Sequence, residues 1–469
     1  MNRIGELEDD LIGLSDAIWE FAEVGLQEHK SAESQVRFLE SQGFRVEQSV
    51  AGMPTAFVAS KGRGAPTIAF LGEFDALPGT SQKASPEPDP LMEGAPGHSC
   101  GHNLLGTAAL GAAVALAQHL DDVGQPGTIR YYGCPAEETL VGKVFMVKAG
   151  LFDDVDAALT WHPAMVNAVR LESSSAMNSV KFRFYGRSSH AAGAPEMGRS
   201  ALDAVELMNI GVNFMREHVI EEARIHYVIT DGGGEPNVVP PEAEVWYYMR
   251  APERHEVEEI YARIQNIGRG AALMTDTRME QRFLSGCYNK RVNRPIADQL
   301  WKNMKHVGPP AFSDEDKTFA KEMIQHLPDK QREQSLRNIE QQYGVDLSDQ
   351  FVHQDLLTPV EPQGRKGGGS TDVADVSWVT PTAEFSSACG VLGAAGHSWQ
   401  FTATCGMGIG HKGMLQAAKI LALTGWDLIA DPNLLMRAQE TFQEEAAEHP
   451  YISPIPDGVD PPLDQLPTH

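Results

Sequence analysis

The ten residues GHSCGHNLLG, positions 97–106, bring a thiol and two imidazoles within five positions of one another. Cys100 and His102 stand two apart, a spacing that does not share a helix face, so they converge on one ion only from a loop or the very start of a helix. Gly97, Gly101 and Gly106 allow such a loop. Further along, CPAEET (134–139) sets Glu137 and Glu138 side by side at the end of an apolar run. Neighbouring strand residues point to opposite faces, which lets one carboxylate bind a cation while the other faces a substrate as a base. His162 in WHPA and His397 in AAGHSWQ add two more imidazoles. Taken singly, each signal has an ordinary structural reading: a glycine-rich turn, a solvated acidic pair, a histidine braced by its neighbours. Together, one thiolate, three imidazoles and a carboxylate are the donors of Zn²⁺ or a similar transition ion rather than of Mg²⁺ or Ca²⁺.

These residues need elements to bring them to one place. The first part of the chain, 1–173, reads as α/β. Helical periodicity runs through LEDDLIGLSDAIWEFAEV and HKSAESQVRFLESQGF, and the small-residue stretch LGTAALGAAVALAQHL predicts a helix packed closely on a sheet. TAFVAS, PTIAFLGEF, GTIRYYGCP and DAALTWHP read as short buried strands. Apolar strands alternating with helices predict a mostly parallel central sheet covered on both faces, with its chemistry at the carboxyl ends of the strands. GEFDALPG, CPAEET and WHPA each follow an apolar run directly and belong at that rim.

From about residue 174 the pattern changes to βαββαβ, the order of a ferredoxin-like unit. The expected division is therefore 1–173 and 293–469 as two parts of one catalytic domain, with 174–292 inserted as a second domain. Residues 309–365, polar and punctuated by proline, read as a surface elaboration with one charged helical stretch, and KGGGSTDVADVSW and GAAGHSWQ read as loops. No fixed-period repeat points to a solenoid.

Composition narrows the function. A net charge of −26, from 38 basic and 64 acidic residues, argues against nucleic acid or an anionic membrane as partner. An anionic substrate would then need a local cluster of Arg, Asn or His. Five scattered cysteines are no disulfide framework. The acidic, amphipathic N-terminal stretch lacks the features of a signal peptide, and no run reads as a membrane span, so the expected location is cytoplasmic.

The motifs GEFDALPG, CGHNLLG, CPAEET, WHP, SSHAA, PNVVP, GGGSTDVADVSW and GHSWQ, in this order, resemble the M20 metallopeptidases in their amidohydrolase branch, over nearly the whole chain. The resemblance implies a zinc-peptidase-like catalytic domain with an inserted ferredoxin-like lid that also mediates dimerisation. It implies Cys100, His102, Glu138, His162 and His397 as ligands of two divalent ions (Zn or Mn), and Glu137 as general base. His190 in SSHAA resembles the family's oxyanion-stabilising histidine, often donated across a dimer. Asn237 and Arg250 are candidates to grip a substrate carboxylate, with His226 and Arg199 behind them. The chain departs from the pattern in two places. Asn103 stands where many of the branch have Asp, and Glu73-Phe74-Asp75 stands in place of the wider family's His-x-Asp metal motif. Glu73 and Asp75 are therefore kept out of the ligand set, Asp75 and Asp372 are expected to orient ligands, and His98 and His411 are substitutes should a ligand be misassigned. The expected reaction is metal-dependent hydrolysis of an N-acyl amino acid of the p-aminobenzoyl-glutamate type. The alternatives are an indole-acetyl or other acyl-amino acid, a dipeptide, or a non-catalytic role as a metal-binding partner chain. The expected assembly is a homodimer, or a heterodimer with a paralogue, through the lid.

Overall fold

The computed structural model describes residues 1–362 and 369–464. Positions 363–365 of the expected elaboration and 366–368 of the glycine-rich motif lie outside the described residues. Among the described residues, eleven strands form two sheets. The first holds β1 (Arg45–Gln48), β2 (Phe57–Arg63), β3 (Thr67–Glu73), β4 (Gly127–Cys134), β5 (Ala157–Ala164), β6 (Ala168–Arg170) and β11 (Thr382–Ala388), in the order β1-β2-β4-β3-β5-β11-β6. Its middle strands β4, β3, β5 and β11 run parallel, and the antiparallel pairings fall at the two edges. The second holds β7 (Ala176–Tyr185), β8 (Arg224–Asp231), β9 (Glu242–Ala251) and β10 (Arg278–Cys287), antiparallel throughout, in the order β10-β7-β9-β8.

Helices α1 (Asn2–Glu6), α2 (Glu8–Phe21), α3 (His29–Ser41) and α4 (His102–Val123) precede β4. By length and composition α4 is apolar enough to cross a membrane, yet 89% of its most apolar window is buried inside the protein, which makes it a core helix. Gly106 is what lets it approach so closely, because a Cβ there would stand 2.5 Å from the carbonyl oxygen of Glu73 on β3. Leu105, Ala109, Ala112 and Leu116 of α4 join Phe70, Tyr131, Leu159 and Trp161 of the sheet in one core. The other face carries a second core that begins at Leu71, Tyr132 and Ala158. It takes in α5 (Gly142–Lys148) and continues into Phe182, Val245 and Tyr247 of the second sheet.

Helices α6 (Ala201–Met215) and α7 (Arg254–Thr275) cover the second sheet, which completes the βαββαβ order read from the sequence. The chain crosses between the sheets twice, and the crossings are bonded to each other. Ser173 Oγ donates to Lys290 O at 2.7 Å, and Lys290 N to Ser174 Oγ at 3.1 Å. After α8 (Arg294–Val307), the charged stretch read as one helix is two, α9 (Asp314–Ile324) and α10 (Asp329–Tyr343), because Pro328 cannot continue a helix. Part of GGGSTDVADVSW, expected as a loop, forms α11 (Val373–Val379). Helices α12 (Trp399–Cys405), α13 (Gly408–Ala430) and α14 (Pro432–Glu448) follow. The tail then returns across the molecule: Lys148 Nζ on α5 donates to Pro456 O at 2.8 Å, Tyr451 Oη bonds Asp375 at 2.8 Å, and Arg282 on β10 forks onto Asp464.

Candidate metal centre

Cys100 ends its loop just before Gly101, whose φ of +80° lets the chain turn so that His102 becomes the first residue of α4. The His102 ring is fixed from behind by Asp75, whose Oδ1 lies 2.8 Å and backbone oxygen 3.1 Å from Nδ1. When the ring is neutral, that bond keeps its proton on Nδ1 and leaves the Nε2 lone pair for a cation. Asp75 Oδ2 accepts from the backbone N–H of Glu138 at 3.0 Å, so one carboxylate orients two elements of the site. His162, on β5, bonds the oxygen of Pro163 through Nδ1 at 2.7 Å, which leaves its Nε2 3.5 Å from Cys100 Sγ.

Glu137 and Glu138 diverge, though not as strand neighbours. β4 has ended, and they sit in a single 3₁₀ turn, Glu137–Thr139, bracketed by left-handed Ala136 and Leu140. His397 also holds a positive φ of 58°, its N–H donates to Ser99 O at 2.9 Å, and its Nε2 stands 3.6 Å from Glu138. A left-handed histidine is a local strain that concentrates at functional sites.

The result is two donor groups that share one sulfur. Cys100, His102 and His162 each offer an atom, all within 4.8 Å of one another, and so do Cys100, Glu138 and His397. The fit to cations rests on what these atoms lack. Glu138 Oε1 and His102 Nε2 are buried with no hydrogen-bond partner among the described residues. Burial and neighbouring carboxylates raise Glu137 well above the carboxylate range, and burial foremost pushes Glu138 up to about 7. Burial likewise raises the Cys100 thiol and lowers His162 to about 4. A buried set of this kind is short of positive charge, which bound cations supply.

Sequence reasoning left out two residues at this centre. Glu73 Oε2 is buried without a hydrogen-bond partner, 3.3 Å from His102 Nε2, and Glu73, His102 and Glu137 form a third donor group. Lys143, fully buried on α5, reaches Glu73 at 2.8 Å and Asp372 at 2.6 Å. Asp372 thus holds Lys143 instead of touching one of the five expected ligands. The signal for Glu73 lay in GEFDALPG; a lysine five residues beyond an acidic pair gave none.

His98 and His411 stand apart from these groups: His98 Nε2 bonds Ile18 O at 3.0 Å, and His411 pairs with Asp16 at 2.7 Å. Asn103 bonds Ser15 Oγ and Cys405 O, tying α4 to α2 and α12. A cavity of about 490 Å³ opens on Cys100, Glu137, Glu138, His162 and His397. Arg250 also lines it, its Nε buried without a partner and its guanidinium 5.8 Å above the Tyr248 ring. His190, Asn237 and His226 are exposed and do not line it. Arg199 is paired with Asp276 at 2.8 Å.

Residues 173–272 match the family model described as "Peptidase dimerisation domain". Over 96% of its length the chain is 44% identical to the B subunit of p-aminobenzoyl-glutamate hydrolase from Escherichia coli, covering 95% of that protein. It is 29% identical to the Xaa-Arg dipeptidase of Mus musculus, over 96% of this chain and 93% of the relative. Among solved structures it shares its fold, at 16% identity and a TM-score of 0.53, with a dinuclear metal binding peptidase from Bacillus subtilis. That match covers 89% of this chain and 98% of the other.

Proposed function

Because the chain belongs to the M20 family and is a hydrolase of amide bonds, we propose that it cleaves an N-acyl amino acid, with p-aminobenzoyl-glutamate as the first substrate to test. The observation that carries this reading is the pair of donor groups sharing Cys100, in the same cavity as a carboxylate, Glu137, left over as a base. Cys100, His102, Glu138, His162 and His397 would hold two divalent cations. The thiolate and imidazoles favour Zn²⁺ or a similar transition ion over Mg²⁺ and Ca²⁺, and Mn²⁺ is the second ion to test. Such ions supply Lewis acidity toward the substrate carbonyl and acidify water.

The chain's own residues do the rest. Glu137 takes the proton of the attacking water and delivers it to the departing amide nitrogen, so that the amine leaves neutral. Asp75 keeps the His102 ring and the Glu138 turn in place throughout. Arg250 receives a substrate carboxylate through its fork. Residues 1–173 and 293–469 act as one catalytic body and 174–292 as its lid. The exposed positions of His190, Asn237 and His226 suit groups that serve a second chain. In this reading the lid pairs with another copy, or with a paralogue, in keeping with the Escherichia coli relative being named as one of two kinds of chain in its hydrolase. His190 then steadies the oxyanion in the neighbour's cavity. Five unpaired cysteines suit a reducing, cytoplasmic setting.

The test is release of p-aminobenzoate from p-aminobenzoyl-glutamate by the purified chain with Mn²⁺ or Zn²⁺. Chelator-sensitive release is expected. No release from a chain that has bound two ions would overturn the substrate assignment.

A further inference from the structure

Among the described residues lining the cavity, three cations stand out in an otherwise acidic wall: Arg250 from β9, Arg170 from β6 and Lys290 from the second chain crossing. Arg170 and Lys290 meet at Glu384. In the first sheet Thr160, Glu384 and Arg170 lie in one register row across β5, β11 and β6, so their side chains rise from the same face. The next row on that face, two residues along, is His162, Ser386 and Ala168, which places the group beside an expected metal ligand.

Lys290 contacts Glu384 Oε2 through its ammonium, and both side chains are almost fully buried. Arg170 is different. Its side chain is 37% exposed, its Nε lies 3.6 Å from Glu384 Oε1, beyond hydrogen-bond reach, and among the described residues it donates no hydrogen bond. Two cations against one carboxylate leave the trio with a net positive charge, and a guanidinium with unused donors faces the cavity. A purely structural pair needs only Lys290 and Glu384. The Lys290 and Arg170 charges also hold the Glu384 carboxyl down near 2 despite its burial, so this carboxylate stays ionised.

We infer that Arg170, with Lys290 and Glu384 bracing it, is the receptor for the side-chain carboxylate of an acidic amino acid, while Arg250 takes the other carboxylate. The inference rests on the proposed amidohydrolase reading and adds the specificity to it. Two open guanidinium forks, one on each sheet, match a leaving group with two carboxylates. Lys290 is a positioning residue here: it anchors Glu384, which keeps Arg170 turned to the cavity.

The experiment compares p-aminobenzoyl-glutamate with its neutral isostere p-aminobenzoyl-glutamine and with p-aminobenzoyl-arginine, on the metal-loaded full chain. Calorimetry of free glutamate and glutamine provides a readout independent of turnover. Losing a charge-assisted hydrogen bond costs roughly 10- to 100-fold. Wild type is expected to favour the glutamate conjugate in kcat/KM by about that factor, and Arg170→Gln to collapse the ratio toward one. The double variant Lys290→Met with Glu384→Gln, which leaves no buried charge unpaired, is expected to lower the ratio as well and serves if Arg170→Gln does not fold. A wild-type enzyme indifferent to glutamate against glutamine, or one preferring the arginine conjugate, overturns the inference. So does an unchanged ratio in both variants. A chain that hydrolyses none of the three yet binds glutamate over glutamine, and loses that preference on Arg170→Gln, sinks the p-aminobenzoyl substrate assignment and leaves the receptor standing. Equal binding in that case removes both.

Discussion

Glu137 and Cys100 are the residues on which the proposed chemistry can be tested one atom at a time. Glu137→Gln keeps the shape and removes the base, so p-aminobenzoate release is expected to fall by roughly 10²- to 10⁴-fold while metal analysis still finds both ions. Retained turnover would put the base elsewhere. Cys100→Ala deletes the one atom common to both donor groups, and the bound metal is expected to drop from two ions per chain to fewer than one. Retention of two would mean that neither ion depends on the sulfur. At this scale the sequence was informative wherever a residue's chemistry is rare: a thiol and an imidazole two apart, an acidic pair, histidines at strand ends. It was silent on Lys143, because a lysine carries no sign of burial until Glu73 and Asp372 close around it. Asp372 was expected to orient a ligand, and only the fold reveals that the lysine takes it first.

Elements position those residues, and two of them make separate predictions. Gly106→Ala would drive a methyl group into the Glu73 carbonyl and lift α4 from β3, at a cost of about 1–3 kcal/mol visible in urea unfolding. The polar segment after α10 is tied to the sheet by His353, whose Nδ1 accepts from Asn167 N at 3.1 Å. Burial lowers His353 to about 4 from an ordinary 6.5. The unfolded chain therefore takes up this proton first as the pH falls, and stability is lost between about pH 6.5 and pH 4. His353→Gln, an acceptor that does not titrate, is expected to flatten that part of a melting-temperature profile; an unchanged slope would assign it to other groups. Periodicity located most helices and the strands β2 to β5 and β7 to β10. It passed over α11, whose seven residues are too few for a period, and β11, whose sequence TAEFSSA mixes polar and small residues although all seven are buried. Such a strand reads as polar because its partners, not its own composition, satisfy Ser386, Ser387 and Glu384.

For the whole molecule the question is whether one chain suffices. If His190 serves a neighbour's cavity, then His190→Ala and Glu137→Gln chains, each inactive alone, should recover activity when mixed and re-associated, to about a quarter of wild type. That fraction follows from half of the pairs being mixed and each of those having one complete site. No recovery would confine every catalytic group to one chain. The switch from βα alternation to βαββαβ near residue 174 made the second sheet legible, since a change of pattern is visible even where boundaries are not. The return of the tail was not legible, because nothing in its composition names its contacts. Its mechanical effect follows from where it lands. A body joined by two adjacent crossings is a door on a single hinge, and the apolar core it shares with α5 holds the door to its frame. The Arg282 fork onto Asp464 grips that door about 15 Å along β10 from the hinge line, so any swing must part this pair as well as that core. An exposed ion pair resists by about 0–1 kcal/mol, which makes it a catch that thermal motion opens and closes rather than a lock.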